Sequence, residues 1–335
     1  MRLITKLFVI VVVLLVLLAI VIGVGTFRWS SKPIIPVNHQ EIAFTIKPSS
    51  SVRSTAQQMA AAGIPMNPWL FELFVRSTGK SSKLKAGSYD LDPGITPEQL
   101  TTKLIRGEFS LASLSIIEGW TFKQMRQAVE EHPELNHETI NLSDVELLAK
   151  ITTEYKTPEG LFFPDTYLFA KGSSDLLIYK QAHTVLIKRL NDAWKQRDTT
   201  LPYKSPYEAL IMASIIEKET GQKSERGMIA GVFVNRLMTG MLLQTDPTVI
   251  YGLGEAFDGN LRKRDLQADT PWNTYTRNGL PPTPIAMPGK AALLAAVQPA
   301  QSKAFYFVAR GDGSSQFSEN LDDHNRAVNK FQRGQ

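Results

Sequence analysis

The chain contains no cysteine, which excludes a disulfide framework and any thiolate metal site. It has only five histidines. His39, His132, His137, His183 and His324 are scattered without H-E-x-x-H or related spacing, so no metal and no other cofactor is expected. Neither a G-x-G-x-x-G phrase nor a Walker A loop occurs, and nucleotide binding is left without a phosphate cradle. No block of Lys and Arg is present either: 37 basic residues against 32 acidic ones give a formal charge of +5, spread along the chain. Such a mild excess points to weak attraction for anionic surfaces and gives no nucleic-acid signature. What is there is ordinary globular sequence, 43% hydrophobic and 21% charged over 335 residues. That length suits one membrane segment and two soluble units.

Leu7 to Val24 is uninterrupted apolar sequence, and at about 1.5 Å per residue it nearly spans a hydrocarbon core of roughly 30 Å. A cleaved secretory signal is the alternative, but the apolar run is longer than such signals need and no A-x-A-like site follows in Phe27-Arg28-Trp29-Ser30. An uncleaved anchor over residues 7–25 is therefore expected. Arg2 and Lys6 precede it, and the positive-inside tendency keeps residues 1–6 cytoplasmic, although Arg28 and Lys32 weaken the asymmetry. The rest of the chain is expected on the periplasmic side of a bacterial inner membrane, with Trp29 at headgroup level.

Residues 26–40, with Pro33 and Pro36 among small and polar residues, read as a stiff tether. Beyond it, Glu41 to Ile46 alternates as a strand, Ser54 to Ala62 and Pro68 to Ser77 carry helical patterns, and Gly87 to Leu91 returns as a strand. This β-α-α-β phrase over residues 41–110 resembles LysM, a glycan-binding module, and is followed by a helix at Pro97 to Arg106. Leu114 to Met125 echoes Phe44 to Val52 as an imperfect repeat of strand, turn and helix. The fold class expected is α+β, with a mixed α/β domain over residues 111–335. There the aromatic run Gly160 to Phe169 reads as core or as a platform for sugar rings, and Leu176 to Lys195 as a helix.

Ser205-Pro206 starts a helix in the favoured way, and Gly221 is expected to stop it after Thr220. From Ala209 to Ile216 nearly every face is apolar, so this helix is buried. Glu217 and Glu219 then break the apolar pattern in the last turn, and local conflicts of this kind mark working sites. Geometry separates the two acids. Three, four and seven residues before Glu219 stand Ile216, Ile215 and Met212, an apolar stripe under its carboxyl. The same positions before Glu217 are Ser214, Ala213 and Leu210. Desolvation and the negative end of the helix dipole both favour a protonated Glu219, and a carboxyl that holds its proton is what glycosidic bond cleavage needs. The other reading makes both acids exposed helix-end charges, one of them paired with Lys218 or Arg226.

At this point the sequence resembles the endolytic murein transglycosylases of the YceG-like (MltG) type. The likeness rests on Glu118-Gly-Trp, Glu159-Gly-Leu-Phe-Phe-Pro-Asp-Thr-Tyr, Met212-Ala-Ser-Ile-Ile-Glu-Lys-Glu-Thr and Phe233-Val-Asn-Arg-Leu. It continues through Leu243-Gln-Thr-Asp-Pro-Thr-Val-Ile-Tyr-Gly, Asn273-Thr-Tyr, Gly279-Leu-Pro-Pro and Ala304-Phe-Tyr-Phe-Val-Ala, and so covers essentially the whole chain. Two places depart from the pattern: Trp272 stands where Tyr is expected, and Pro282-Thr283-Pro284 is a variant of its own.

The resemblance implies a LysM-like part joined to a catalytic domain, with catalysis assigned to the second glutamate of Glu-Lys-Glu, here Glu219. It implies non-hydrolytic cleavage of the β-1,4 bond between N-acetylmuramic acid (MurNAc) and N-acetylglucosamine (GlcNAc), leaving 1,6-anhydro ends, with one carboxylate serving as acid and then base. Glycan strands of peptidoglycan are the implied substrate and peptidoglycan synthases (penicillin-binding proteins) the implied neighbours. Gln244, Thr245 and Asp246 follow the apolar Met241-Leu242-Leu243 as candidate groove residues, though Asp246-Pro247 equally reads as a turn and cap. Tyr251, Asn273 and Tyr275 offer stacking and amide-type hydrogen bonds for N-acetyl sugars, with Asn273 the preferred contact and Tyr251 otherwise core. Glu217 joins this substrate-binding set. Gly279 to Pro284 is too proline-rich for a helix or central strand and reads as a rigid wall. Phe305 to Ala309 and Gln316-Phe317 read as a closing hairpin, with His324 structural in a terminal helix. Two other readings stay open: a muramidase using water, with Asp246 or Glu217 as second carboxylate, and a non-catalytic wall-binding protein.

Overall fold

A run of Val, Leu and Ile has no polar face to keep in water, and in the computed structural model it lies in one uninterrupted helix, α1 (Arg2–Ser30). This helix is long and apolar enough to cross a membrane, and side chains such as Leu7, Leu15 and Val21 stand exposed along it. It runs past the 7–25 expected for the anchor. The structure describes residues 2–334; Met1 and Gln335, the outermost residues of the expected N-terminus and catalytic domain, lie outside the described residues. The chain divides into two units, one formed by residues up to Ala112 with Leu168–Ser173, the other by Ser113–Tyr167 with Ser174 onward.

In the first unit, β1 (Ile42–Ile46), α2 (Val52–Ala61), α3 (Pro68–Ser77) and β2 (Gly87–Leu91) follow in the β-α-α-β order, with α4 (Pro97–Arg106) after them. β1 and β2 pair antiparallel with Phe44 opposite Tyr89. Alternation puts Phe44 and Ile46 inside with Tyr89 and Leu91, while Thr45 and Ser88 share a 2.9 Å hydroxyl contact outside. Each helix starts where its sequence supplies a cap: Ser51 accepts from the Ser54 N–H, Asn67 from those of Trp69 and Leu70, and Thr96 closes a capping box with Gln99.

The tether expected over residues 26–40 is corrected here. Its first part is helical to Ser30, and Ile34 and Ile35 are buried in the core with Met59, Phe71 and Leu100. The Ile34 N–H donates to the Ile95 carbonyl at 2.9 Å and the Gly94 N–H to the Ile35 carbonyl at 2.8 Å. Two prolines stiffen this stretch, but two buried isoleucines outweigh its polar composition, at roughly 1.5–3 kcal/mol each.

The second unit contains β3 (Leu111–Ser115) in part, α5 (Phe122–Glu130), β4 (Leu135–Asn136), α6 (Asp144–Ala149), part of β5 (Thr166–Ala170), the end of β6 (Ser173–Ser174) and α7 (Asp175–Lys195). Then come α8 (Pro206–Glu219), α9 (Arg226–Met238), α10 (Asp246–Leu253), α11 (Lys263–Gln267), α12 (Lys290–Val297), the hairpin β7 (Tyr306–Ala309) with β8 (Ser315–Ser318), and α13 (Leu321–Val328). The aromatic run after Gly160 belongs to the core: Leu161 and Phe162 are fully buried, and Phe162 stacks on Phe122 at 5.4 Å and meets Tyr179 edge-on.

α8 is the axis of this unit. It packs against α7, α9, α10 and α12, as its all-round apolar surface requires. Ser205 caps it by accepting from the Glu208 N–H. At the far end Thr220, not glycine geometry at Gly221, stops the helix: its backbone turns extended and its hydroxyl donates to the Ile216 carbonyl. If the 34–35 segment is core, Ile35→Ala lowers the urea-unfolding free energy of the first unit by about 2–5 kcal/mol; a loss near zero, as at a solvated tether, contradicts that placement.

Candidate active site

α8 ends in two acids that are two residues apart and so face different neighbours. Glu217 is embraced. The Arg226 guanidinium donates to one oxygen and the Gly289 N–H to the other, each at 3.0 Å, and the Glu217–Arg226 pair is nearly buried. Glu217 was expected among the substrate-binding residues, but both of its oxygens are occupied in tying α8 to the start of α9 and to the loop before α12. The Glu118 carboxyl lies where a Cβ on Gly289 would stand, so a side chain there would have to displace it.

Glu219 faces the other way, toward the start of α10. Its carboxyl accepts a hydrogen bond from the Thr245 hydroxyl and is half-buried. Burial pushes its pKa above the ordinary carboxylate range, the negative charge of Asp246 adds to that push, and the Thr245 hydrogen bond and the Arg236 charge oppose it. Glu219 thus holds its proton more tightly than a free glutamate.

Thr245 is positioned by a small buried network. Its N–H donates to Thr274 Oγ1 at 3.0 Å, and Thr248 Oγ1 donates to its carbonyl at 2.7 Å while lying 2.8 Å from Thr274 Oγ1. The preceding residue, exposed Gln244, adopts a left-handed φ of 50°, and its N–H donates to the Thr274 carbonyl at 3.1 Å. A non-glycine residue in that region stores strain, and here the strain sits beside the hydroxyl that holds Glu219. Asp246 is exposed and opens α10; its Oδ1 accepts from the Tyr275 hydroxyl at 2.5 Å. The tip of α8, the start of α10 and the 273–275 loop therefore bring Glu219, Thr245, Asp246 and Tyr275 together.

Asn273, expected to touch the sugar, requires a correction. It is fully buried; its amide donates to the carbonyls of Leu266 at 3.0 Å and Ala268 at 2.6 Å, and its own oxygen accepts from the Tyr275 N–H at 2.8 Å. With its polar atoms so engaged, Asn273 is a staple that shapes the loop carrying Thr274 and Tyr275. Tyr251, half-buried on α10, turns its hydroxyl to Glu159 at 3.2 Å and meets Trp272 edge-on at 5.4 Å.

Two charged groups here had drawn no role from the sequence. Glu159 is 6% exposed and accepts from the Phe122 N–H at the start of α5, at 3.0 Å, as well as from Tyr251. Burial raises its pKa to about 7 against those hydrogen bonds. Arg236 is buried on α9; it donates to the carbonyls of Phe305 at 2.7 Å and Leu243 at 2.6 Å and lies over the Tyr306 ring. It clamps the extended segment before Gln244 while supplying positive potential to Glu219. The signal available was the same in both cases, a lone charge bordering or interrupting an apolar run.

A profile of the YceG-like family matches residues 44–330. The chain belongs to the YceG-like family. Among its relatives, an endolytic murein transglycosylase of Bacillus subtilis is 30% identical over 93% of this chain and 91% of its own length. One from Streptococcus pneumoniae is 26% identical over 95% of this chain and 64% of its own length. A crystal structure of a putative YceG-like protein from Listeria monocytogenes superposes with a TM-score of 0.55 and 32% identity, covering 85% of this chain and 98% of that one. The two departures from the YceG-like pattern touch each other: the Trp272 indole N–H donates to Thr283 Oγ1 at 2.9 Å, and the Thr283 hydroxyl donates on to the Pro284 carbonyl.

Two outcomes are expected of this YceG-like site. Removing the Thr245 hydroxyl (Thr245→Val) raises the Glu219 pKa further, whereas neutralising Asp246 (Asp246→Asn) lowers it, so the alkaline limb of a pH–rate profile moves in opposite directions in the two variants. Equal shifts, or none, contradict the assignment. Glu159 has a folded pKa above its unfolded one, so its stabilising contribution is complete below about pH 4.5 and lost as pH rises through about 7, a change of roughly 3 kcal/mol. Urea unfolding at pH 4 and pH 8 should show that loss in the wild type relative to Glu159→Gln.

Proposed function

We propose that this chain is a lytic transglycosylase, a lyase acting on peptidoglycan, and that it cleaves the MurNAc-β-1,4-GlcNAc bond inside nascent strands to leave 1,6-anhydro-MurNAc ends. The observation that carries the reading is Glu219: a carboxyl at the tip of a buried helix, held by Thr245, with its pKa raised by burial. The family membership and the relatives named endolytic murein transglycosylase support it.

The chemistry needs one carboxyl used twice. Glu219 gives its proton to the bridging oxygen as the bond from C1 of MurNAc breaks. The C6 hydroxyl oxygen of the same residue then bonds to C1, and its proton returns to Glu219. No water enters, so the second carboxylate of an ordinary glycosidase is not needed. Gln244, Asp246 and Tyr275 border Glu219 as substrate contacts, with Tyr251 and Trp272 as an aromatic pair behind them. Asn273 and Glu217 act as positioning residues.

In this reading α1 is an uncleaved single-pass anchor in the inner membrane, residues 41–110 form a LysM-like glycan-binding module, and residues 111–335 form the periplasmic catalytic domain. Work beside peptidoglycan synthases, terminating or trimming strands, fits such an anchor. A hydrolytic reading draws on one observation, the exposed Asp246 near Glu219, and product mass separates the two. The full-length protein acting on uncrosslinked glycan yields ends one water lighter than reducing ends, and Glu219→Gln slows this by about 10²–10⁴-fold. Reducing ends alone would falsify the lyase reading, and undiminished activity in the variant would remove Glu219 from the chemistry.

A further inference from the structure

The first unit contains the helix that reads as the anchor, and α3 packs against that helix. The level of this contact is informative. Ile22, Thr26 and Phe27 of α1 share an apolar cavity of about 430 Å³ with Leu73, Phe74 and Thr78 of α3, and one turn further along Trp29 meets Phe74 edge-on with ring centres 6.3 Å apart. Counted from Leu7, the first roughly 20 apolar residues rise about 30 Å, the thickness of a hydrocarbon core. That count ends close to Thr26. A helix packed on Ile22 to Phe27 is thus held where hydrocarbon gives way to headgroups.

The segment after α3 is suited to that level. From Leu73 to Tyr89 the chain has no acidic residue but contains Arg76, Lys80, Lys83 and Lys85, and Arg28 and Lys32 leave the end of α1. All are exposed except Lys80, which is half-buried. Arg76 pairs with Glu72 and Lys85 donates to the Arg106 carbonyl; among the described residues Arg28, Lys32, Lys80 and Lys83 form no ion pair with a carboxylate. Clustered cations beside an apolar span are the pattern that binds anionic lipid.

We propose that the last turn of α3 and the basic loop 79–86 rest on the membrane that α1 crosses, with the phosphates of anionic lipid headgroups as their partner. The inference rests on reading α1 as an uncleaved anchor. It makes the first unit a membrane-surface module as well as a tethered one, with a fixed height above the bilayer.

Because the chain has no cysteine, single labels can be placed cleanly. Full-length protein carrying a fluorophore at Ser81→Cys or at Val16→Cys is reconstituted in phosphatidylcholine vesicles with or without phosphatidylglycerol. In vesicles containing phosphatidylglycerol, the label at position 81 should be quenched by a headgroup-attached quencher and shielded severalfold from aqueous acrylamide. The triple variant Lys80→Glu, Lys83→Glu, Lys85→Glu should lose both effects. The label at position 16 should be quenched by an acyl-chain probe in every case, which reports the anchor independently. If position 16 is quenched while position 81 stays open to acrylamide and untouched by the headgroup quencher, the surface contact is refuted and the anchor stands. If position 16 is not quenched, the anchor reading fails and the surface contact fails with it.

Discussion

A carboxyl at the end of a buried helix must either be neutral or find a partner, because an unpaired charge there is too costly to keep. The second unit settles this differently for the two acids at the tip of α8. Glu217 is given a cation and a backbone donor, and becomes a fixed ionic tie to Arg226 and Gly289. Glu219 is given a hydroxyl from Thr245 and a negative neighbour in Asp246, and burial makes it hold its proton more tightly than a free glutamate. The chemistry proposed for it depends on that asymmetry, and the hydrogen bonds around Thr245 maintain it.

The supporting parts can be followed outward from Thr245. Thr248 and Thr274 hold its backbone, the strained turn at Gln244 presents it, and Asn273 staples the loop that carries Thr274. On the other side Arg236 clamps the carbonyl of Leu243. Glu159 reaches the far end of α10 through Tyr251 and ties it to the start of α5. These are mostly small polar groups bonded to backbone, which is an inexpensive way to hold a loop rigid in a buried setting. The Trp272–Thr283 contact adds a side-chain link across the proline-rich loop.

Much of this could be read from residues alone, and for identifiable reasons. α8 was legible because its apolar run, serine cap and proline start agree with one another, and the break in that run pointed to Glu217 and Glu219. The strands and helices of the first unit were legible because alternation and helical spacing are local signals. Asn273 was misjudged because an amide suited to an N-acetyl group is equally suited to a loop carbonyl, and only burial tells them apart. Ile34 and Ile35 were misjudged because two apolar residues between prolines are too short a pattern to announce a core.

The sequence by itself determined the elements of the first unit, the apolar α1, the buried α8, the family likeness and the pair of acids that break the apolar pattern of α8, since each depends on neighbours along the chain. Only the tertiary structure decided which oxygen pair is tied down and which is not, that Arg236 and Glu159 stand buried at opposite ends of α10, and that the 34–35 segment is core. Those outcomes depend on which residue meets which across tens or hundreds of positions. Burial and hydrogen-bond pairing are properties of that meeting, and no local pattern records them.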